Sequence, residues 1–155
     1  DFNMQDANPK AVPLTPGTVL RKQTEQDTGE DARTRTTLYP RLIGKLLFLS
    51  RWTRPDISTV VSKLARFNST PSHQHWLAAK GLLRYLAGSK DLRLTYSGAT
   101  PGANQLVAYS DADLAGDADS GRSTSGTVLI YGGAAIAWRS RLQTLTSYLP
   151  RPGGP

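Results

Sequence analysis

The spacing of apolar residues changes once along this 155-residue chain, near residue 90, and that change limits what it can fold into. Before it, apolar side chains recur every three or four residues, the interval at which a helix returns a side chain to the same face. After it they alternate, the period of a pleated strand with one covered side. Helical segments followed by strands, with no alternation between the two, read as an α+β chain.

Within the helical part, Leu42, Leu46 and Leu49 form a stripe with Ile43 and Leu47 beside it. Pro40 is tolerable only in a first turn, which puts the start of that helix near Leu38. A second helix is expected from Pro55, a residue suited to the first helical position, with Ile57, Val60, Val61, Leu64 and Phe67 on one face. A third runs from about Ser72 to Ala87, with Trp76, Ala79, Leu83 and Leu86 inward and Gly88 as its stop. Leu92, Leu94 and Tyr96 then alternate with Arg93 and Thr95, and strands are expected at about 105–110, 126–131 and 134–139. Gly132-Gly133 between the last two reads as a tight hairpin turn. Four regions follow: an extended arm and mobile linker (1–36), a segment of about three helices (37–90), an incomplete antiparallel sheet (91–143) and a disordered tail (144–155) rich in Pro and Gly.

Composition narrows the function classes. There is no cysteine, which excludes disulfides and thiolate metal sites and fits an intracellular setting, cytoplasmic or nuclear. The best apolar run, Leu42 to Leu49, is interrupted by Lys45 and falls short of the ~20 residues of a membrane span, so no membrane partner is expected. The N-terminus has no basic region followed by an apolar one, and a start at Asp instead of Met fits a piece of something longer. The net charge is +7, unevenly placed. From Arg33 to Arg93 there are twelve Lys or Arg against Asp56 and Asp91, whereas from Asn104 to Asp119 there are four acids and no base. A basic block holds phosphates and an acidic cluster holds divalent cations. Arg54, Lys63, Arg66, Lys80, Arg84, Lys90 and Arg93 are the candidates for phosphate contact. The plainer reading of the same charges is a set of solvated helix faces.

Leu106-Val-Ala-Tyr-Ser-Asp111 is an apolar strand that delivers a carboxylate at its end, followed by Ala115-Gly-Asp117, Arg122-Ser-Thr-Ser-Gly126 and Gly133-Ala-Ala-Ile-Ala-Trp138. Upstream stand Tyr39-Pro-Arg-Leu-Ile-Gly-Lys-Leu-Leu-Phe-Leu49, Thr53-Arg-Pro-Asp-Ile57, His75-Trp-Leu-Ala-Ala-Lys80 and Leu83-Arg-Tyr-Leu86. In order and spacing these resemble the Pol polyprotein of copia-type LTR retrotransposons over nearly everything from residue 5 to 143. The resemblance implies a helical thumb-like or connecting end of a reverse transcriptase before residue 90 and the opening of an RNase H-like sheet after it. It places the polymerase aspartates upstream of this chain and makes Asp111 the first-strand carboxylate of a two-Mg²⁺ nuclease site. That family also needs a Glu on the helix after the third strand, in a Ser-Thr-x-Glu-Ala-Glu-Tyr context. Here the stretch reads Gln143-Thr-Leu-Thr-Ser-Tyr-Leu-Pro-Arg-Pro-Gly-Gly-Pro155, with no Glu after Glu30 and no Asp after Asp119, and its change of character resembles a frameshift or altered terminus. Hard divalent cations need several carboxylate oxygens from different elements. RNase H turnover is therefore not expected, and Mg²⁺ is expected to bind weakly or not at all.

Other constellations are weaker. Asp111, Asp113, Gly116, Asp117 and Asp119 fit some positions of an EF-hand loop, but Ala115 and Arg122 stand at positions 5 and 12, and Asp113, Asp117 and Asp119 read as a solvated acidic turn. His73 and His75 point to different faces and lack a third ligand, and His75 reads as a surface residue. Trp52, Trp76 and Trp138 could stack on bases, with core packing the default for each. Ser123, Thr124 and Ser125 read as turn and strand-start residues, and Gly132-Gly133 lacks phosphate-loop spacing. The leading expectation is a polymerase remnant that binds RNA/DNA hybrid or duplex without catalysis. The alternatives are a structural or interaction fragment with no nucleic-acid role, and a nuclease completed by another chain. A sheet face carrying Val128, Ile130 and Ile136 is expected to lie open and to favour self-association.

Overall fold

The computed structural model describes residues 2, 4, 6–22, 30–99, 102, 104–114 and 116–145. Three helices, α1 (Glu30–Trp52), α2 (Ser58–Ala65) and α3 (His73–Gly88), precede three strands, β1 (Val107–Asp113), β2 (Thr124–Tyr131) and β3 (Ala134–Leu142). A single 3₁₀ turn, Pro55–Ile57, leads into α2. The strands form an antiparallel meander in the order β1-β2-β3. Three helices followed by a three-stranded antiparallel sheet agree with the α+β reading.

The core belongs to the helices and the arm. Tyr39, Leu42, Ile43 and Leu46 of α1 meet Val60, Val61 and Leu64 of α2 and Ala79, Leu82 and Tyr85 of α3, together with Ile57, Phe67 and Leu20 of the arm. Tyr39 donates its hydroxyl to the Leu64 carbonyl (2.8 Å), which satisfies the polar tip of a buried ring. Burial pushes that phenol well above its ordinary pKa. The described arm residues carry bends and turns at 11–14 and 16–17, and they dock on the helices. Lys10 N–H donates to the Arg84 carbonyl, and the Phe2 ring sits edge-on to Trp76.

Four expectations are corrected. First, α1 begins at Glu30, not near Leu38, so residues 30–36, expected as linker, are helical and Pro40 lies well inside the helix. Burial of Arg35, Tyr39, Leu42, Ile43 and Leu46 along one side carries the helix through a proline that donates no backbone hydrogen bond. The rest of the expected linker, 23–29, and the tail from 146 onward lie outside the described residues. Second, α3 is rotated: His75, Ala79, Leu82 and Tyr85 are buried, while Trp76, Leu83 and Leu86 are half-buried. Third, Leu92 to Tyr96 form no strand. That segment runs beside the β2–β3 hairpin, tied by Ser97 N–H to the Gly132 carbonyl (2.8 Å) and by the Tyr96 hydroxyl to the Ala135 carbonyl (2.7 Å). Fourth, Val128 and Ile130 are half-buried on the side that meets the helices. Ile136 is exposed as expected, and further open apolar surface lies along β1, where every residue is exposed.

Gly132 and Gly133 make the two-residue turn, both with positive φ (65° and 86°), the conformation in which glycine carries no Cβ penalty. The register shifts between Leu129, which faces Ala137, and Ile130, which faces Ala135. Ile136 is thus the extra residue of a β-bulge and is exposed.

Candidate functional site

Antiparallel pairing aligns Tyr109, Val128 and Trp138 in one row across the sheet, and Asp111, Gly126 and Ser140 in the next. Residues directly opposite one another share a face, so these rows form one surface. The helices close over its β3 side: the Trp138 indole N–H donates to the Ser50 carbonyl, and the Ser62 hydroxyl to the Ser140 carbonyl (3.1 Å). On the β1 side a cleft of about 680 Å³ stays open, walled by Pro55, Asp56, Ser58 and Thr59 and floored by the two rows. Asp111 sits on that floor opposite a glycine, exposed, with Oδ1 accepting the N–H of Ala112 (2.8 Å).

The second carboxylate on the cleft is already engaged. Asp56 accepts from Arg54 Nε (2.9 Å) and Nη2 (2.7 Å) and from the Tyr85 hydroxyl (2.8 Å). Partial burial raises its pKa, but these hydrogen bonds outweigh that and hold it below the usual carboxylate range. Among the described residues no three His, Cys, Asp or Glu side chains gather where they could hold a metal ion. One exposed carboxylate beside an arginine-bound one does not fit a two-metal centre.

The remaining acids divide. Asp113 and Asp119 are exposed, and Asp119 caps the arm by accepting Lys22 N–H (2.9 Å). Asp117, expected in a solvated turn, is instead 6% exposed and bidentate to Arg66, with Nη2 to Oδ2 at 2.9 Å. Ser120 donates to it from both backbone and hydroxyl. Burial pushes the Asp117 pKa up, but Arg66 and Ser120 outweigh it and the net shift is down. This pair ties α2 to the loop between β1 and β2.

The seven candidate phosphate contacts fall into three separate groups instead of one stripe. Lys63 and Arg66 line a small pocket with Asp117. Lys80 and Arg84 line another with Lys10 and Asp6 of the arm. There the Lys80 ammonium lies 5.3 Å from the Trp76 ring, and Arg84 Nε donates to the Asn8 carbonyl. Arg54, Lys90 and Arg93 line the third. Arg54, expected on phosphate, is buried. It directs its fork at Asp56 and at the carbonyl (3.1 Å) and hydroxyl (2.6 Å) of Ser89, joining the start of α2 to the end of α3. Arg66 is likewise held by Asp117. Lys90 and Arg93 are exposed, with no ion-pair or hydrogen-bond partner among the described residues.

Two placements escaped sequence reasoning. His75, expected at the surface, is fully buried. Its backbone N–H is accepted by the Ser72 hydroxyl (3.2 Å), its Nδ1 accepts Ser72 N–H (2.9 Å), and its ring stacks on Phe67 with centroids 3.8 Å apart. It therefore fills the third-residue place of a capping box, usually held by Glu or Gln. Trp52, expected in the core, is 67% exposed, and Phe48 is 64% exposed. Trp76 and Trp138 are half-buried as core packing required. The signal for Phe48 and Trp52 was their position one turn apart, off the stripe of Leu42 and Leu46.

Comparison with known proteins shows homology. The chain is 37% identical over 143 residues, 92% of its length, to the "Retrovirus-related Pol polyprotein from transposon TNT 1-94" of Nicotiana tabacum. It is 36% identical over 91% of its length to the corresponding polyprotein from transposon RE2 of Arabidopsis thaliana. Over about nine-tenths of its length it is thus homologous to proteins named as Pol polyproteins of copia-type retrotransposons. The chain spans about a tenth of the length of those two relatives. It also matches "Secreted RxLR effector protein 161" of Plasmopara viticola, at 42% identity over 105 residues, 68% of this chain and 72% of that protein. No protein-family model matches, and no solved structure matches significantly.

Proposed function

We propose that this chain is the stretch of a copia-type Pol polyprotein joining the helical end of its reverse transcriptase to the opening strands of its RNase H. On this reading it holds RNA·DNA hybrid or other duplex through phosphate contacts and does not cleave it. The observation that carries the reading is Asp111: a carboxylate at the exposed floor of a cleft, with Asp56 bound to Arg54 and no third acid beside it among the described residues. Mg²⁺ has too few ligands here, and no step through it follows.

Binding falls to the cations that internal partners leave accessible. Lys90 and Arg93 are one group; Lys10 and Lys80, around the arm, are the other, beside Arg84, whose Nε is held by the Asn8 carbonyl. Arg54 and Arg66 have internal roles, so the contact set is smaller than the sequence implied. With three or four phosphates neutralised, log affinity should fall against log salt with a slope of about −3. Fluorescence anisotropy on a labelled RNA·DNA hybrid between 50 and 200 mM salt measures it, and a flat dependence refutes the reading.

A second reading, a structural or interaction fragment, draws on the exposed β1 strand. Its outer edge is unpaired, and Leu106, Val107, Tyr109 and Leu114 are open to solvent. Such an edge recruits another strand. Self-association through it is compatible with nucleic-acid binding elsewhere on the molecule.

A further inference from the structure

We infer that the groove beside Trp52 is a stacking site for unpaired nucleobases, a surface for single-stranded nucleic acid that shares Lys90 and Arg93 with the phosphate contacts to duplex but adds aromatic rings a duplex does not use. The inference rests on the nucleic-acid reading above and adds a strand type and a location to it.

Phe48 and Trp52 stand one turn apart at the end of α1, their ring centroids 6.3 Å apart and their planes inclined by 43°. Both rings face away from the buried stripe and are mostly open to water. An aromatic pair left in solvent, with no internal packing to account for it, marks a contact surface. Trp52 also forms one wall of a groove of about 720 Å³, whose apolar lining comes from Leu49, Leu86, Leu92, Leu94 and Tyr96.

The charge around this groove selects the occupant. Its charged lining residues are Arg54, Lys90 and Arg93, and no carboxylate among the described residues lines it. Asp56 and Ser89 hold Arg54, which leaves Lys90 and Arg93 as the accessible cations. Arg51, in the last turn of α1, is exposed but lies off the groove. Asp91, the nearest acid in sequence, lies off the groove. Flat apolar rings flanked by unpaired cations suit a ligand with a π-face at each unit and a negative charge on each linker, which describes single-stranded nucleic acid. A duplex offers only backbone here, because its bases already stack on one another. A purely apolar protein partner has no use for two free cations, and a basic one is repelled.

The test uses fluorescein-labelled dT12 and a labelled RNA·DNA hybrid, titrated side by side by anisotropy with the full chain. Trp52→Ala should weaken dT12 binding about tenfold, while Trp52→Phe retains most of it. The Trp52→Ala change should leave hybrid binding within about twofold, because Trp52 contributes no charge. A Lys90→Ala, Arg93→Ala double variant should lower the magnitude of the dT12 salt slope by about 1.4. Trp52 is a surface residue, and unchanged far-UV circular dichroism and melting confirm that its variants fold. The inference is overturned if wild-type chain binds hybrid but not dT12, or if Trp52→Ala binds dT12 as wild type does. It is equally overturned if dT12 fails to bind and Trp52→Ala abolishes self-association in light scattering, which would assign the rings to a protein interface. Failure of the wild type to bind either nucleic acid overturns the nucleic-acid reading itself.

Discussion

His75 shows how one buried ring can couple acidity to folding. Its Nδ1 must present a lone pair to Ser72 N–H, so the neutral ring carries its proton on Nε2, an atom with no hydrogen-bond partner among the described residues. Burial lowers the ring's proton affinity; the Arg21 carbonyl and the Asp119 carboxylate offset part of that. Protonating Nδ1 would remove the acceptor and place a cation at a helix N-terminus, where the dipole opposes it. Because the folded state binds this proton more weakly than the unfolded state, the ring's contribution is complete above the ordinary imidazole value of 6.5 and is lost as pH falls below it. Melting temperature should therefore drop between pH 7.5 and pH 5.5, and His75→Gln, which keeps a capping-box acceptor, should flatten that drop. An unchanged slope in the variant would remove His75 from the account. Arg66 and Asp117 give a second residue-scale prediction. Arg66→Ala leaves a buried carboxylate unpaired and should cost about 3 kcal/mol in urea denaturation. The folded pKa of Asp117 is depressed, so its pair contributes above the ordinary carboxylate value of 3.8 and is lost as pH falls further.

At the scale of elements, Pro40 is the exposed weakness of α1. It interrupts the ladder of a 23-residue helix ten residues from its start. Pro40→Ala restores one backbone donor and should raise stability by about 1–3 kcal/mol, read as a higher melting temperature. The start of α1 was not legible because Glu30 to Thr37 offers almost no apolar period, and only packing of Tyr39 and its neighbours below extends the helix upstream. The α2 stripe was legible because Ile57, Val60, Val61 and Leu64 are all buried on one face. The hairpin was legible because positive φ at two successive residues calls for Gly-Gly. The site was less so. Asp117 meets a partner 51 residues away, and no local pattern announces such a pair. The strand-end place of Asp111 followed from the alternation around it, whereas its isolation depends on Asp56 being claimed by Arg54 across the cleft.

As a whole molecule, the chain carries its hydrophobic core among helices and arm, while among the described residues its three-stranded sheet adds only Ala134 and Ala135 to the buried apolar residues. The sheet is held to the helices by a few polar ties, at Ser62, Trp138 and Arg66, and keeps one edge unpaired. Light scattering at tens of micromolar should show association that Tyr109→Lys on the β1 edge reduces, since a charge there disfavours edge pairing. A monodisperse monomer in the wild type would count against edge pairing. The central claim is a Pol-derived chain that holds nucleic acid without cutting it. It is tested most directly by incubating labelled RNA·DNA hybrid with wild type and with Asp111→Asn in Mg²⁺. Both reactions should leave the hybrid intact, and both proteins should retain it in a salt-sensitive way. Cleavage by the wild type that disappears in Asp111→Asn would contradict it and place Asp111 in a working nuclease centre completed by another chain.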